Sequence, residues 1–223
     1  MKKNVFFTVA CSILYSVLPA QVQVSKEPRH HNIFENGHVR ILDVHIPPGD
    51  TTQIHVHSTP SVFLILTNNV KAGSQVISEE KRMRLNPADD DNILFDGFYI
   101  QPRIHRVWNS DTVEYHVMDI ELTNKNYITL DSPIHWQDAF TLLFDEKPVR
   151  AYRVNLKANR SIVLRERTSD ILIVLLTDSA GSFRVNGKSL RKKGDYNYIQ
   201  SGIDIHMNND AKDKTEFAFF ELK

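Results

Sequence analysis

The chain repeats itself. Phe34-Glu35-Asn36-Gly37-His38-Val39-Arg40 aligns with Phe144-Asp145-Glu146-Lys147-Pro148-Val149-Arg150 at an offset of 110 residues. The register then runs without a gap through Val44 and Val154 to Leu66-Thr67 and Leu176-Thr177. Further on, His105 faces His206 and Glu121-Leu122 faces Glu221-Leu222, which requires a shorter loop in the second half. Self-similarity over this length means two units of one architecture, so the 223 residues divide into two small domains.

Each half reads as short strands. Segments 39–46, 52–57, 62–67, 75–77 and 115–121 are rich in β-branched and aromatic residues, and turn formers such as Pro47-Pro48-Gly49-Asp50 and Thr67-Asn68-Asn69 separate them. No segment sustains a 3.6-residue period over four turns. A short helix is expected only around Trp136 to Phe144, between the repeats. Evenly spaced strands with turns predict an all-β chain, with a barrel or double-sheet jelly roll in each half. Residues 78–96, which contain Glu79-Glu80-Lys81-Arg82 and Asp89-Asp90-Asp91, read as a polar loop. They lack the glycine-punctuated spacing of a calcium loop.

Chemistry concentrates in the first half, where nine of the ten histidines lie between His30 and His135. His55 and His57 are two apart in a strand-like run, and alternate side chains of a strand share a face, so both imidazoles can converge on one ion. A later strand supplies His105 as the third. Neutral imidazole suits iron, manganese, nickel, copper or zinc, and one such divalent ion is the expected cofactor. The alternative is a set of hydrogen-bonded core histidines. His30-His31 reads as an exposed pair near the start of the first domain.

The motifs resemble the cupin superfamily. Gly49, five intervening residues and His55-Val56-His57 match the opening of its first motif, and His105 with Asn109, Pro102 and Gly97 looks like a loosened second motif. The resemblance covers nearly all of residues 21–223 and implies two tandem jelly-roll barrels of the quercetin-dioxygenase-like kind, a bicupin. It implies an N-terminal barrel at 21–140 that holds the metal and a degenerate C-terminal barrel at 141–223. The glutamate expected four or five positions after the His-x-His pair is missing, because Ser61 and Val62 stand there. Three histidines therefore remain, with Gln53, Ser61, His116 or Asp119 as candidates for the pocket wall or a fourth ligand, and Trp108 as a lining residue. At the offset of 110, Arg165 and Arg167 replace the His-x-His pair. A guanidinium cannot ligate a metal, so the second barrel is expected to be metal-free. The two arginines form either an anion-binding fork or ordinary ion pairs with nearby acids such as Asp170.

Composition narrows the partners. The 27 basic and 27 acidic residues balance, and no basic stripe interleaves with aromatics, so nucleic acid is excluded. Lys2-Lys3, an apolar stretch from Val5 to Leu18 and Pro19-Ala20 read as a signal peptide over residues 1–20, which implies a periplasmic or secreted protein. Beyond it no apolar run reaches the roughly 20 residues that span a bilayer, so no membrane partner is expected after cleavage. The only cysteine, Cys11, lies inside that segment, which leaves residues 21–223 without disulfides or Cys-ligated zinc. A homodimer is expected by analogy with cupins that pair through edge strands. Two functions follow: a metal-dependent enzyme acting on a small oxygen-bearing molecule, with oxygenase chemistry preferred over isomerase or lyase chemistry, or a non-catalytic cupin that binds or senses a small molecule. Metal affinity should fall below roughly pH 6, where free imidazole takes up a proton.

Overall fold

The structure is a computed structural model that describes residues 21–67, 71–77, 82–85, 92–98, 101–130, 132–136, 139–179 and 181–223. The segment read as a signal peptide and the acidic run Asp89-Asp90-Asp91 lie outside the described residues. The first half comprises β1 (Val22–Gln23), β2 (His30–Glu35), β3 (Val39–Ile46), β4 (His55–His57), β5 (Ser61–Ile65), β6 (Ala72–Val76), β7 (Arg82–Leu85), β8 (Ile93–Asp96), β9 (Arg103–Asn109) and β10 (Tyr115–Leu122). The second comprises β11 (Phe140–Asp145), β12 (Val149–Leu156), β13 (Arg160–Leu164), β14 (Asp170–Leu175), β15 (Phe183–Val185), β16 (Lys188–Leu190), β17 (Tyr196–Ile199), β18 (Ile205–Asn209) and β19 (Thr215–Leu222). Each half is a pair of facing sheets, ordered β1-β4-β9-β6-β7 and β2-β3-β10-β5-β8 in the first, and β11-β12-β19-β14-β17 and β13-β18-β15-β16 in the second.

Two expectations fail here. The 140–145 segment is strand β11, not helix, because its backbone groups pair along β12 and Phe140 packs on Tyr152 and Phe219. The stretch 78–96 is not all loop, because it contains β7 and β8, which extend the sheets at β6 and β5. Among the described residues the only helical turn is the 3-10 segment Val24–Lys26.

The repeat extends to fine structure. β2 slips against β3 between Asn32 and Phe34, and β11 slips against β12 between Leu142 and Phe144, 110 residues later. Arg40 pairs with Glu121 and Glu35, and Arg150 pairs with Glu221 and Asp145 at the matching places. The amide of Asn109 donates to Ile46 and Val113 carbonyls, and that of Asn209 donates to Leu156 and Asp213 carbonyls.

The halves pack sheet on sheet. On β10, Met118, Ile120 and Leu122 face the second half and join Val39, Ile41, Val62 and Leu64 in one cluster with Ala151, Leu172, Val174, Ala218 and Phe220. Each of the larger side chains contributes roughly 1.5–3 kcal/mol relative to exposure. The alternate residues Tyr115, Val117 and Asp119 turn inward to the first barrel. The strand is therefore covered on both faces, and every residue of 115–122 except His116 is buried.

Candidate metal centre

Inside the first barrel the site is built outward from a turn. Pro47-Pro48-Gly49-Asp50 closes with an Asp50 N–H to Pro47 carbonyl bond of 3.1 Å, and Gly49 at φ 75° takes the left-handed conformation that most side chains disfavour. The turn presents Asp50 to Arg29, whose Nε and Nη2 donate to its two oxygens at 2.8 and 2.7 Å. Arg29 in turn donates through its backbone N–H, 2.7 Å, and Nη1, 3.3 Å, to Glu27. Glu27 also accepts from the Gln53 N–H, 3.0 Å, and from His30 Nδ1, 2.8 Å. Burial raises the affinity of Glu27 for a proton, but bonds from His30 and from the Gln53 and Arg29 amides outweigh it and hold the carboxyl at about 2. An ionised carboxylate only accepts, so His30 carries its proton on Nδ1 and turns Nε2 inward.

Three more imidazoles meet it. His55 donates from Nδ1 to the Gln53 carbonyl at 2.8 Å, and His105 Nδ1 lies 2.9 Å from Ser74 Oγ. His55 Nε2, His105 Nε2 and His57 Nδ1 are buried with no hydrogen-bond partner. Register explains the convergence, because His55 pairs directly with His105 across β4 and β9. Ring centroids lie 4.9 Å apart for His30 and His55, 4.5 Å for His55 and His105, and 5.0 Å for His57 and His105. Ligand nitrogens of His30, His55 and His57 all fall within 4.8 Å of one another. Buried polar atoms are nearly always satisfied, so several orphaned nitrogens in one place point to a missing shared partner. Burial, reinforced by the other imidazoles, drives His55 down to about 4 and His105 to about 2, and lowers His57 well below its usual value. All three are therefore neutral at pH 7, as metal coordination requires.

A cavity of about 120 Å³ opens from the cluster, walled by Val44, Ile46, Phe63 and Val117. Phe98, held at φ 48°, stacks on His57 at 5.5 Å, and Arg103, paired with Asp96, sits over the Phe98 ring. Asp119 lies on the inner wall with neither oxygen bonded, and its Oδ2 is 3.5 Å from His57 Nδ1. Burial pushes its carboxyl well above the usual range.

Several sequence expectations land elsewhere. Gln53 contributes through its main chain while its side chain is exposed. Ser61 is buried, but its hydroxyl donates to the Thr59 carbonyl, 3.2 Å. His116 points out of the first barrel to Asp43, because even-numbered residues of β10 face the other way. Trp108 likewise lies outside the cavity, over Gly73. His30, read as exposed, is the fourth imidazole, and only its proximity to Glu27 in sequence could have signalled that.

The arginine fork also dissolves. Asn109 and Asn209 are equivalent, so Ile205, not the exposed His206, takes the place of His105. Leu164 pairs with Ile205 as His55 pairs with His105, so one residue fewer in the second half slips the register. A one-residue slip reverses faces. Arg165 is 85% exposed and pairs with Asp204, and Arg167 pairs with Glu221. Phe140, Leu164, Ile205 and Phe219 thus occupy the places of His30, His55, His105 and Asp119, within a cluster of apolar side chains.

No family model matches the chain, and no curated protein matches it. Solved structures do. A variant of salicylate 1,2-dioxygenase from Pseudoaminobacter salicylatoxidans, in complex with gentisate, superposes with a TM-score of 0.61 at 11% identity, over 90% of this chain and 75% of that one. The fold is a bicupin. A cupin 2 conserved barrel domain protein from Leptotrichia buccalis gives 0.54 at 11% identity over 86% and 88% of the two chains. AerE from Microcystis aeruginosa gives 0.53 at 11% over 88% and 98%. In this bicupin fold the imidazole cluster lies inside the first barrel, and apolar side chains stand in the matching places of the second.

Proposed function

We propose that this protein is an exported metal-dependent oxygenase that acts on a small oxygen-bearing molecule inside the first barrel. The observation that carries the reading is the set of buried, unpartnered imidazole nitrogens of His55, His57 and His105 beside His30. Those four side chains would hold one ion of the iron, manganese, nickel, copper or zinc series. Bound there, a redox-active ion supplies dioxygen and Lewis-acid chemistry. Glu27 and the Gln53 carbonyl orient the rings of His30 and His55 and fix their protons on Nδ1. Phe63 and Phe98 exclude water, and Arg103 at the rim favours a substrate with an anionic substituent. Asp119, whose burial favours the protonated carboxyl, offers a proton beside His57. The cavity of about 120 Å³ is small against typical ligand pockets of roughly 300–1,000 Å³, which restricts the substrate to a compact molecule such as a hydroxybenzoate. The likeness in fold to a dioxygenase crystallised with gentisate supports that class. Export rests on Lys2-Lys3 and the apolar stretch that follows them.

Elemental analysis of residues 21–223, purified without a histidine tag or chelator, tests the reading beside His57→Ala. The expected result is a transition metal that the variant loses, with oxygen uptake on gentisate or a related hydroxy acid in the parent only. Absence of metal in both proteins, even after reconstitution, would overturn it. Saturable binding of the acid without oxygen uptake would assign the site to ligand capture instead.

A further inference from the structure

A second cluster of ligating side chains lies outside the first barrel and belongs to none of the chemistry above. Asp43 and His45 are two apart on β3 and so share a face, and His45 pairs directly with His116 on β10. Asp43 Oδ1 lies 2.6 Å from His116 Nε2 and Oδ2 lies 3.0 Å from His45 Nε2. All three ligand atoms fall within 4.8 Å of one another. We propose that Asp43, His45 and His116 form a second transition-metal site, a two-histidine, one-carboxylate site on the rim of the inter-barrel cleft and independent of the centre inside the barrel.

Four observations carry it. A tetrahedral ion with bonds of about 2.0–2.2 Å holds its ligand atoms roughly 3.3–3.6 Å apart, and the three ligand atoms, each within 4.8 Å of the others, reach that spacing through small side-chain adjustments. Glu114 Oε1 accepts from His45 Nδ1 at 2.8 Å, the carboxylate–histidine arrangement that fixes a ligating imidazole with its lone pair on Nε2. The two rings stack with centroids 4.2 Å apart at 18°, so both present an edge nitrogen to the same carboxylate, Asp43. A divalent cation there also has the second carboxylate, Glu114, behind His45. Access is open, because the ligand side chains are 23–33% exposed.

The remaining coordination positions face a cleft of about 390 Å³, whose far wall is the β16–β17 region of the second barrel with Lys188, Lys192 and Lys193. Gly194 there, at φ 89°, comes so close that a Cβ would meet His116 Cε1 at 3.5 Å and Leu66 at 3.0 Å. Water or an anion neutralised by the lysines completes the coordination. Two neutral imidazoles and one carboxylate favour zinc, cobalt, nickel or copper over calcium or magnesium.

Co2+ titration of the metal-stripped protein, followed by its visible absorption and by equilibrium dialysis, tests the site. The expected result is two equivalents for the parent, one for His57→Ala, one for His116→Gln and none for the double variant. Glu114→Gln should weaken the second equivalent 10–100-fold and leave the first unchanged. Near-ultraviolet circular dichroism of each stripped variant should match the parent. Retention of both equivalents by His116→Gln and by Asp43→Asn would overturn the proposal. So would a parent that binds only the equivalent removed by His57→Ala. A parent with one equivalent lost in His116→Gln but kept in His57→Ala would uphold this site and remove the first.

Discussion

Glu27 receives four hydrogen bonds while almost wholly buried, and His30 depends on it for both orientation and tautomer. Glu27→Gln is therefore expected to lower affinity for the first metal 10–100-fold with little change in fold, whereas Gln53→Ala should change neither, because only the main chain of Gln53 touches the site. Dialysis against a competing chelator separates the two, and equal loss in both would refute the assigned roles. Protons act on the same residues. In the metal-free protein His55 sits near 4 and His105 near 2, both below the unfolded value of 6.5, so these rings take up protons mainly on unfolding. Stability is then full above about pH 6.5 and falls towards pH 4, by about 1.4 kcal/mol per pH unit for each ring that stays neutral. Urea denaturation of the stripped protein from pH 8 to 4 should show that slope, and a flat profile would contradict the buried neutral rings. For the same reason metal should persist below pH 6, further than free imidazole suggests. The His-x-His pair was legible in the sequence because strand periodicity alone brings it to one face. His30 was not, because its burial depends on β2 pairing with β3 and on Glu27 folding back beneath it.

At the scale of elements, the long strands β3 and β10 could be read from the sequence almost to the residue, since turn formers and apolar runs bound them. β11 could not, because an edge strand that leans on its neighbour carries no stronger local signal than a short helix. The gapless offset also hid a slip, since nothing in the residues around Leu164 marks the missing position, and only pairing with β18 reveals it. That slip separates the barrels chemically. Phe219 stands where Asp119 stands, and it packs against Phe140 and Tyr152 in an interior of apolar side chains. Phe219→Ala should cost about 3–5 kcal/mol, as a cavity in a tightly packed core. Metal content per folded molecule should not change, as measured on the soluble fraction. Loss of metal from the folded variant would place a metal ligand in the second barrel and overturn the division of labour.

Across the whole molecule, the apolar cluster between the barrels joins residues of both halves, with Leu64, Met118 and Ile120 on one side and Leu172, Val174 and Phe220 on the other. Most of these side chains are wholly buried, so separating the halves would expose a continuous apolar face at a cost of roughly 1.5–3 kcal/mol per large side chain. Neither barrel then has a folded state of comparable stability without the other, and the chain should unfold in one transition. Metal bound in the first barrel stabilises whatever unfolds with it. At a free concentration about 100 times its dissociation constant, it adds about 2.7 kcal/mol. For a chain of this length that raises the midpoint by roughly 5–10 °C. Calorimetry of the stripped and reconstituted protein should therefore show a single peak that moves as a whole. Aromatic near-ultraviolet signals, to which Tyr152, Tyr196 and Tyr198 of the second barrel contribute, should move with it. Two peaks, with only one displaced by metal, would show that the barrels unfold separately and that the shared face is a docking contact rather than a common core.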